Sequence, residues 1–430
     1  MKFVNVLFVV LLYCTHLSAQ VTLPNNLYFT HIGVEDGLCQ NTVCCILQDH
    51  LGFIWLGTKD GLTRYDGYRF RVFKHDAADP MSIGNNFIRV LYEDADGLIW
   101  IGTNVGVYIY NPETENFRKF DVATERGDVI SREVSSIKCD SSGDLWIGVN
   151  WQGVFRYDRR DESLELYEPV PGDTTSLSSV HVWDLCFDGD GNLWVGSQNG
   201  GLDRYDRETD RFVRHRLKGL SDVSRIVLDK QNQLLLGTMK DGLFSFNPYM
   251  GTCQPLLLDS GHKDLFVRAI FVRNSREVVV GTENGIYIYD CVTRKTRHVN
   301  QELGNPYSLS CKAVYSIYCD KEGALWIGTY FGGVNYLPPS SSLIFDKFYP
   351  IGHSDRLSGK AVREFVRDES GIIWIGTEDQ GLNRFDPVSG KFTHYNSRNS
   401  GLSCDNVHGL CVDGDRLYIG TFFGGFNIMD

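Results

Sequence analysis

Apolar and polar positions alternate in short bursts along this chain, and the bursts recur. Residues 86–120 (NFIRVLYEDADGLIWIGTNVGVYIYNPETENFRKF) hold one full period. Four runs rich in β-branched and aromatic residues, at 88–92, 98–102, 107–110 and 117–120, are separated by turn chemistry such as DADG (94–97) and NPET (111–114). The pattern predicts a four-stranded antiparallel meander, with strands A, B, C and D counted from the inside outwards. A lone sheet of this kind cannot bury both faces, so such units must stack around an axis.

The period is marked by a pentapeptide written nine times: IWLGT (54–58), IWIGT (99–103), LWIGV (145–149), LWVGS (193–197), LLLGT (234–238), VVVGT (278–282), LWIGT (325–329), IWIGT (373–377) and LYIGT (417–421). Its glycines lie 41 to 48 residues apart, from Gly57 to Gly420. Self-similarity at that period in a strand-rich chain predicts a β-propeller. Trp55, Trp100, Trp146, Trp194, Trp326 and Trp374 sit at the centre of strand B, where their bulk suits a blade-to-blade contact. Leu235, Val279 and Tyr418 replace them in the other units. The Gly two residues later suits a close approach of neighbouring atoms, and a second Gly four or five residues on opens strand C.

Chain order predicts how the ring closes. Residues 27–33 (LYFTHIG) read as a D strand that arrives before any A strand, so it can pair with a late C strand and remove the edges. After the seventh unit, PPSSS (338–342) breaks the pattern, and 344–349 (IFDKFY) reads as a new leading D strand. The expected organisation is all-β: a signal peptide at 1–19, a seven-bladed β-propeller of four-stranded antiparallel blades over 20–337, a linker at 338–342, and the first two blades of a second, incomplete propeller over 343–430. A single nine-bladed ring is the rival reading, which the Pro-Pro break disfavours.

Composition narrows the function classes. The net charge of −12 and the absence of a Lys/Arg-rich run argue against a nucleic-acid surface. Lys2, the apolar run 3–13 and Leu17-Ser18-Ala19 form an export signal with cleavage before Gln20, hence a periplasmic product. Cys14 follows Tyr13, which disfavours a lipoprotein anchor, and no later run is long enough to span a bilayer. Removal of Cys14 leaves eleven of the twelve cysteines, with no C-x-x-C pair. Cys44, Cys45, Cys139, Cys186, Cys319 and Cys411 fall in A strands and read as small apolar packing groups.

Candidate chemistry lies in the loops. The Asp-rich A–B turns, such as DADG (94–97) and DGDG (188–191), lack the bidentate acid of a calcium loop and read as hairpins. Their D-x-x-G-x-[IL]-W string resembles the Asp-box of sialidases, with different spacing. No nucleophile elbow, H-E-x-x-H or Walker A loop occurs, so no catalytic residue, metal or cofactor is assigned. The B–C loops vary in the way of recognition loops on a rigid scaffold. Trp151, Gln152, Gln198, Asn199, Lys240, Glu283, Tyr330 and Phe331 offer rings, amides and charges on one face, which suits an oligosaccharide. Ordinary loop polarity, with the rings packed over neighbouring blades, explains the same residues equally well.

The string D-x-x-G-x-[IL]-W-[IL]-G-T followed by G-[LV]-x-x-[YF]-[DN], seen at 94–111 and 368–386, resembles the two-component regulator propeller repeat. GTYFGGVNY (328–336) with 357–386 resembles the join between two propellers in hybrid two-component sensor histidine kinases of Bacteroidetes-type bacteria. The resemblance implies periplasmic propellers that sense oligosaccharides, followed by a membrane helix, a kinase, a receiver and a DNA-binding domain. The chain carries no phosphoacceptor His region or ATP-binding glycine boxes, so it is expected to be truncated before the helix and kinase, or to work with a partner that supplies them. The expected function is therefore ligand sensing, with a glycan as ligand. A protein-interaction scaffold and a carbohydrate-active enzyme are the alternatives.

Overall fold

The computed structural model describes residues 22–215, 217, 220–256, 265–339, 347–350 and 356–430. The export signal and Cys14 lie outside the described residues, as do 340–342 of the expected linker. Among the described residues the chain forms nine antiparallel sheets, eight of four strands and one of three. The single helical turn, Val34–Asp36, is a 3-10 turn. Two compact units result, the first carrying seven blades and the second two; the segment Glu302–Ser308 groups with the second.

Blade two shows how closely the pattern maps onto the strands: Ile88–Glu93, Ile99–Thr103, Gly106–Asn111 and Asn116–Lys119. The seventh blade takes strands A to C from Val314–Cys319, Leu325–Thr329 and Val334–Leu337. Its outer strand is Thr30–Ile32, antiparallel in the register Thr30 to Tyr336 and Ile32 to Val334. The first unit is thus a closed seven-bladed propeller. The expected leading strand at 344–349 is different: its described part, within 347–350, is not strand. The Pro338-Pro339 pair removes two backbone donors just upstream.

Two devices hold blade to blade, the second in those blades whose strand B carries Trp. The first is the missing side chain on strand B. A Cβ at Gly57 would stand 2.7 Å from Ile88 Cγ2, at Gly102 2.6 Å from Val134 Cγ1, and at Gly237 2.6 Å from Val267 Cγ1. In every case the neighbour is the first residue of the next blade's A strand. At Gly328 that neighbour is Val43 of blade one, whose carbonyl oxygen would lie 2.8 Å away, so the contact runs around the whole ring.

The second device is the Trp at the centre of strand B. Trp55 packs with Ile88, Ile99 and Tyr110 of blade two, and Trp326 packs with Leu38, Val43 and Ile54 of blade one. Each indole Nε1 donates to the Asp six residues earlier: Trp55 to Asp49 at 2.7 Å, Trp100 to Asp94 at 2.8 Å, Trp146 to Asp140 at 3.1 Å, Trp194 to Asp188 at 2.8 Å, Trp326 to Asp320 at 2.8 Å and Trp374 to Asp368 at 2.9 Å. The other carboxylate oxygen accepts turn N–H groups, for example from Asp96 and Leu98 onto Asp94. The Asp-rich turns are therefore structural hairpins. Each buried carboxylate is satisfied by a donor set that a metal would have to displace.

On the opposite face, the last pentapeptide residue closes the B–C loop. Thr58, Thr103, Thr238, Thr282, Thr329, Thr377 and Thr421 each donate from Oγ1 to the carbonyl of the glycine that opens strand C. That glycine has positive φ in all nine blades, from +68° at Gly333 to +119° at Gly61, a region costly for any other residue. Strand C also anchors the preceding D–A loop. Asn335 accepts the Ser310 N–H at 2.8 Å and returns a bond to Ser310 Oγ, Asn427 treats Ser403 likewise, and Asn383 accepts the Ser358 N–H and donates to the Ser358 carbonyl. Blade four has Asp203 in this role. It accepts from Ser178 N and Oγ, but its second oxygen is buried without a donor.

Two predictions follow from this packing. Gly328→Ala places a methyl against the Val43 backbone, which cannot yield like a flexible side chain, and overpacking of this kind costs ~1–3 kcal/mol. Gly420→Ala, whose Cβ would meet nothing closer than 3.8 Å, serves as the neutral comparison. Equal denaturation midpoints for the two variants would refute the close-approach account.

Burial pushes the Asp203 carboxyl up to about 6 from 3.8, with the Ser178 bonds opposing. The folded chain therefore holds that proton at a pH where the unfolded chain has lost it, so this residue's contribution to stability falls as pH rises from about 4 to about 6. At about 1.4 kcal/mol per unit, Asp203→Asn should stabilise the protein at pH 7 by about 2–3 kcal/mol and remove the decline. Urea titrations at pH 4.5 and pH 7 check this.

Candidate functional site

The sequence-level candidates divide in two once their surroundings are seen. Gln152 is engaged by its own blade: its Oε1 accepts from Ser131 N and Arg132 N at 3.0 Å and its Nε2 donates to Val129 O at 3.0 Å. It clips the D–A loop of its own blade, which occupies its oxygen and one of its two amide hydrogens. Asn199 and Lys240 hold their loops through the backbone, Asn199 N to Asp222 at 2.9 Å and Lys240 O from Leu265 N at 2.9 Å.

Trp151, Glu283, Tyr330 and Phe331 stand differently. Trp151 is 65% exposed, held at φ +71° with its ring edge-on to His181 at 4.0 Å, so a broad indole face is open. Tyr330 lies 4.0 Å from Phe331, 5.1 Å from Tyr315 and under the Lys59 ammonium at 4.2 Å. Glu283 pairs with Arg268.

Their common feature is register. The residue after the pentapeptide donates its N–H to the residue just before strand A of its own blade: Lys59 to Thr42, Asn104 to Phe87, Asn150 to Glu133, Gln198 to His181, Glu283 to Phe266 and Tyr330 to Ala313, at 2.8–3.3 Å. These residues form an inner rim around the axis of the first unit. Gln198, Glu283 and Tyr330 belong to it; so do Lys59, Asn104 and Asn150, which were not among the candidates.

Within that rim, every A strand of the first unit carries a β-bulge. Pairing with strand B skips from Val43 to Cys45, Ile88 to Val90, Val134 to Ser136, Val182 to Asp184, Val223 to Arg225, Val267 to Ala269 and Val314 to Ser316. The skipped residue is freed from the ladder and re-aimed, as bulges do. Six of the seven skipped residues, Cys44, Arg89, Ser135, Trp183, Arg268 and Tyr315, line one cavity of about 70 Å³, joined by Glu133, Asn150 and Arg225.

The electrostatics of this cavity are unusual for a chain of net charge −12. Arg89 donates from Nε to Asn104 Oδ1 at 2.9 Å, pairs with Glu133 at 3.2 Å and stacks on Phe87 at 4.0 Å. Arg268 lies over Phe266 and Tyr315 at 4.1 and 4.4 Å. Arg225 donates to the carbonyls of Arg268 at 2.7 Å and Ser224 at 2.8 Å. Burial, with Arg268 and Arg89 nearby, pulls the Arg225 guanidinium below its usual range, and Asp184 opposes this. Burial pushes the Cys44 thiol up to about 11, while Arg89, Lys59, Arg268 and Arg225 all act to lower it. Cys44 therefore lines the cavity as a neutral thiol, which the packing assignment of the A-strand cysteines did not foresee. Trp183 Nε1 is shut off from solvent and meets no acceptor.

The profile described as two component regulator propeller matches residues 37–60, 82–105, 176–199 and 308–331, each spanning the end of a D–A loop, strands A and B, and the entry to the B–C loop. In these four segments the chain is similar to the two-component regulator propeller. Among solved structures it is similar to the extracellular domain of the putative hybrid two component system BT3049 from B. thetaiotaomicron. The identity is 27%, the TM-score 0.78, and the match covers 94% of this chain and 53% of that one. The extracellular domain of BT4673 from the same organism matches at 20% identity and TM-score 0.63, over 94% and 58% of the two chains, and shows the fold alone. A stretch of 59 residues is 39% identical to Histidine kinase P4 of Formosa agariphila, covering 14% of this chain and 4% of that protein. The chain thus spans about half the length of the first solved relative. Among the described residues no helix is long and apolar enough to cross a membrane, and no group of three or more His, Cys, Asp or Glu is placed to hold a metal ion.

Proposed function

We propose that this chain is the ligand-sensing propeller region of a hybrid two-component sensor, working outside the cytoplasm, with a glycan as its ligand. The observation that carries this is the extent of the likeness to the BT3049 extracellular domain, 94% of this chain at TM-score 0.78. The loop face supports the glycan. Trp151 offers an open indole face, Tyr330 and Phe331 add rings, and the inner rim supplies Asn104, Asn150 and Gln198. Sugars are held in this way, with C–H faces on rings and hydroxyls on amides. On this reading the signal leaves through a membrane helix and kinase that lie downstream or on a partner chain.

A glycan array followed by calorimetry tests the reading. Trp151→Ala should weaken binding of the selected glycan about thirtyfold, the scale of one lost hot spot of ~2 kcal/mol, and Tyr330→Ala should weaken it less because Lys59 already covers one face. Affinity unchanged in both variants would place the ligand off this face. The product in the periplasm should begin at Gln20, read as an intact mass; a lipid on Cys14 would contradict export as a free chain.

A further inference from the structure

We propose that the central cavity of the first unit is an oxyanion site, built to take a carboxylate or sulfate group carried by the ligand. This rests on the ligand-sensing reading of the loop face and names the chemistry at its centre.

Three observations converge. The first is charge. Arg89, Arg225, Arg268 and Glu133 line one small cavity and Lys59 stands at its rim; Arg89 pairs with Glu133, Arg268 with Glu283 of the rim, and Asp184 acts on Arg225. Four cations face three acids, and Asp184 is already engaged, accepting from Ser136 Oγ at 2.9 Å and Ile226 N at 3.0 Å. Guanidiniums crowded together repel one another, and an anion among them relieves that repulsion while accepting forked N–H donors.

The second is an unmet donor. Buried polar groups are hydrogen-bonded almost without exception, yet Trp183, a residue of this cavity's lining, has its Nε1 buried with no acceptor. Every indole of the repeated pentapeptide has its Asp; this one, displaced by its bulge, has none. A negatively charged oxygen in the cavity would complete it. Asn150 adds a neutral amide donor to the same lining.

The third is size. About 70 Å³ is several times the ~10–15 Å³ that one enclosed water needs, but far below the roughly 300–1,000 Å³ of a pocket that encloses a whole small-molecule ligand. The cavity therefore holds a charged head group, and the body of the ligand remains outside among the rim residues and the aromatic loops. More than half of the lining comes from one structural position, the bulge residue. Blades can thus differ here without disturbing their mutual packing.

The test uses the full chain at fixed ionic strength. The probes are a uronic-acid oligosaccharide, its methyl-esterified neutral counterpart, a sulfated disaccharide and inorganic sulfate, read by calorimetry and by thermal shift. The variants are Arg89→Gln and Trp183→Phe, which removes the orphan N–H and keeps a ring, with Arg416→Gln on the last blade as a charge control. Melting of each variant without ligand confirms that it is folded. Expected is binding of at least one acidic saccharide at least about tenfold tighter than the neutral ester, weakened about tenfold by Arg89→Gln and about fivefold by Trp183→Phe, and unchanged by Arg416→Gln.

Binding of inorganic sulfate alone, with the same sensitivity to Arg89 and Trp183, would uphold the oxyanion site with a free anion as its occupant and remove the glycan reading. Equal binding of acid and ester, indifferent to both variants, would overturn the oxyanion site and leave the glycan reading standing. Anion binding that survives both variants would also overturn it, as would the absence of any stabilisation by the four probes.

Discussion

Everything in this molecule depends on strand B having no side chain at its fourth residue. At Gly57, Gly102, Gly237 and Gly281, a Cβ would overlap the first residue of the following blade's A strand by up to an ångström or more. Its absence lets two sheets lie in contact at the point where both are nearest the axis. The neighbouring Trp then fills the wider gap further out, as Trp55 does against Tyr110 and Phe117. An indole buried there needs an acceptor for its N–H, and the Asp of the A–B turn supplies one while satisfying the turn itself. One repeated string thus solves approach, filling and polar satisfaction together.

The same economy explains why the opposite face is free to vary. Closure is carried by the outer strand Thr30–Ile32 on the seventh blade and by the strand-B contacts, so none of the loops on that face is required for it. What shapes the face is the bulge near the start of each A strand, which takes one residue per blade out of the ladder and turns it toward the axis. Residues at that position, Cys44, Arg89, Ser135, Trp183, Ser224, Arg268 and Tyr315, range from thiol and hydroxyl to guanidinium and aromatic ring. Positions in the blade-to-blade contact, by contrast, are nearly uniform. Variation where packing is indifferent, beside uniformity where packing is strict, is what a rigid recognition scaffold requires.

Much of the fold was legible because its signals are local. The period of the pentapeptide, the turn residues and the early strand at 27–33 each depend on a few adjacent residues, and the strands of blade two fall within a residue or so of their expected bounds. The Asp-to-Trp bond was also written in the chain, as a constant spacing of six, although its meaning needs the hairpin to bring the two ends together. The stretch 344–349 was misjudged where its residues are described, because strand-like composition does not supply a pairing partner.

The site was legible only in part, and the reason is physical. Which face carries the variable loops follows from meander connectivity, so Trp151, Tyr330 and Glu283 could be named from the chain alone. The state of Gln152 could not, because its amide is engaged by backbone groups some twenty residues away in sequence. Nor could the cavity, since a bulge shifts the side-chain alternation by one residue, and a reader counting every second position assigns the wrong side to each residue it displaces. Sequence by itself determined the blades, their number and the string that joins them, because those are properties of single repeats. Only the tertiary structure decided that Arg89, Trp183, Arg225 and Arg268 meet, because they come from four different blades and are neighbours solely through closure of the ring.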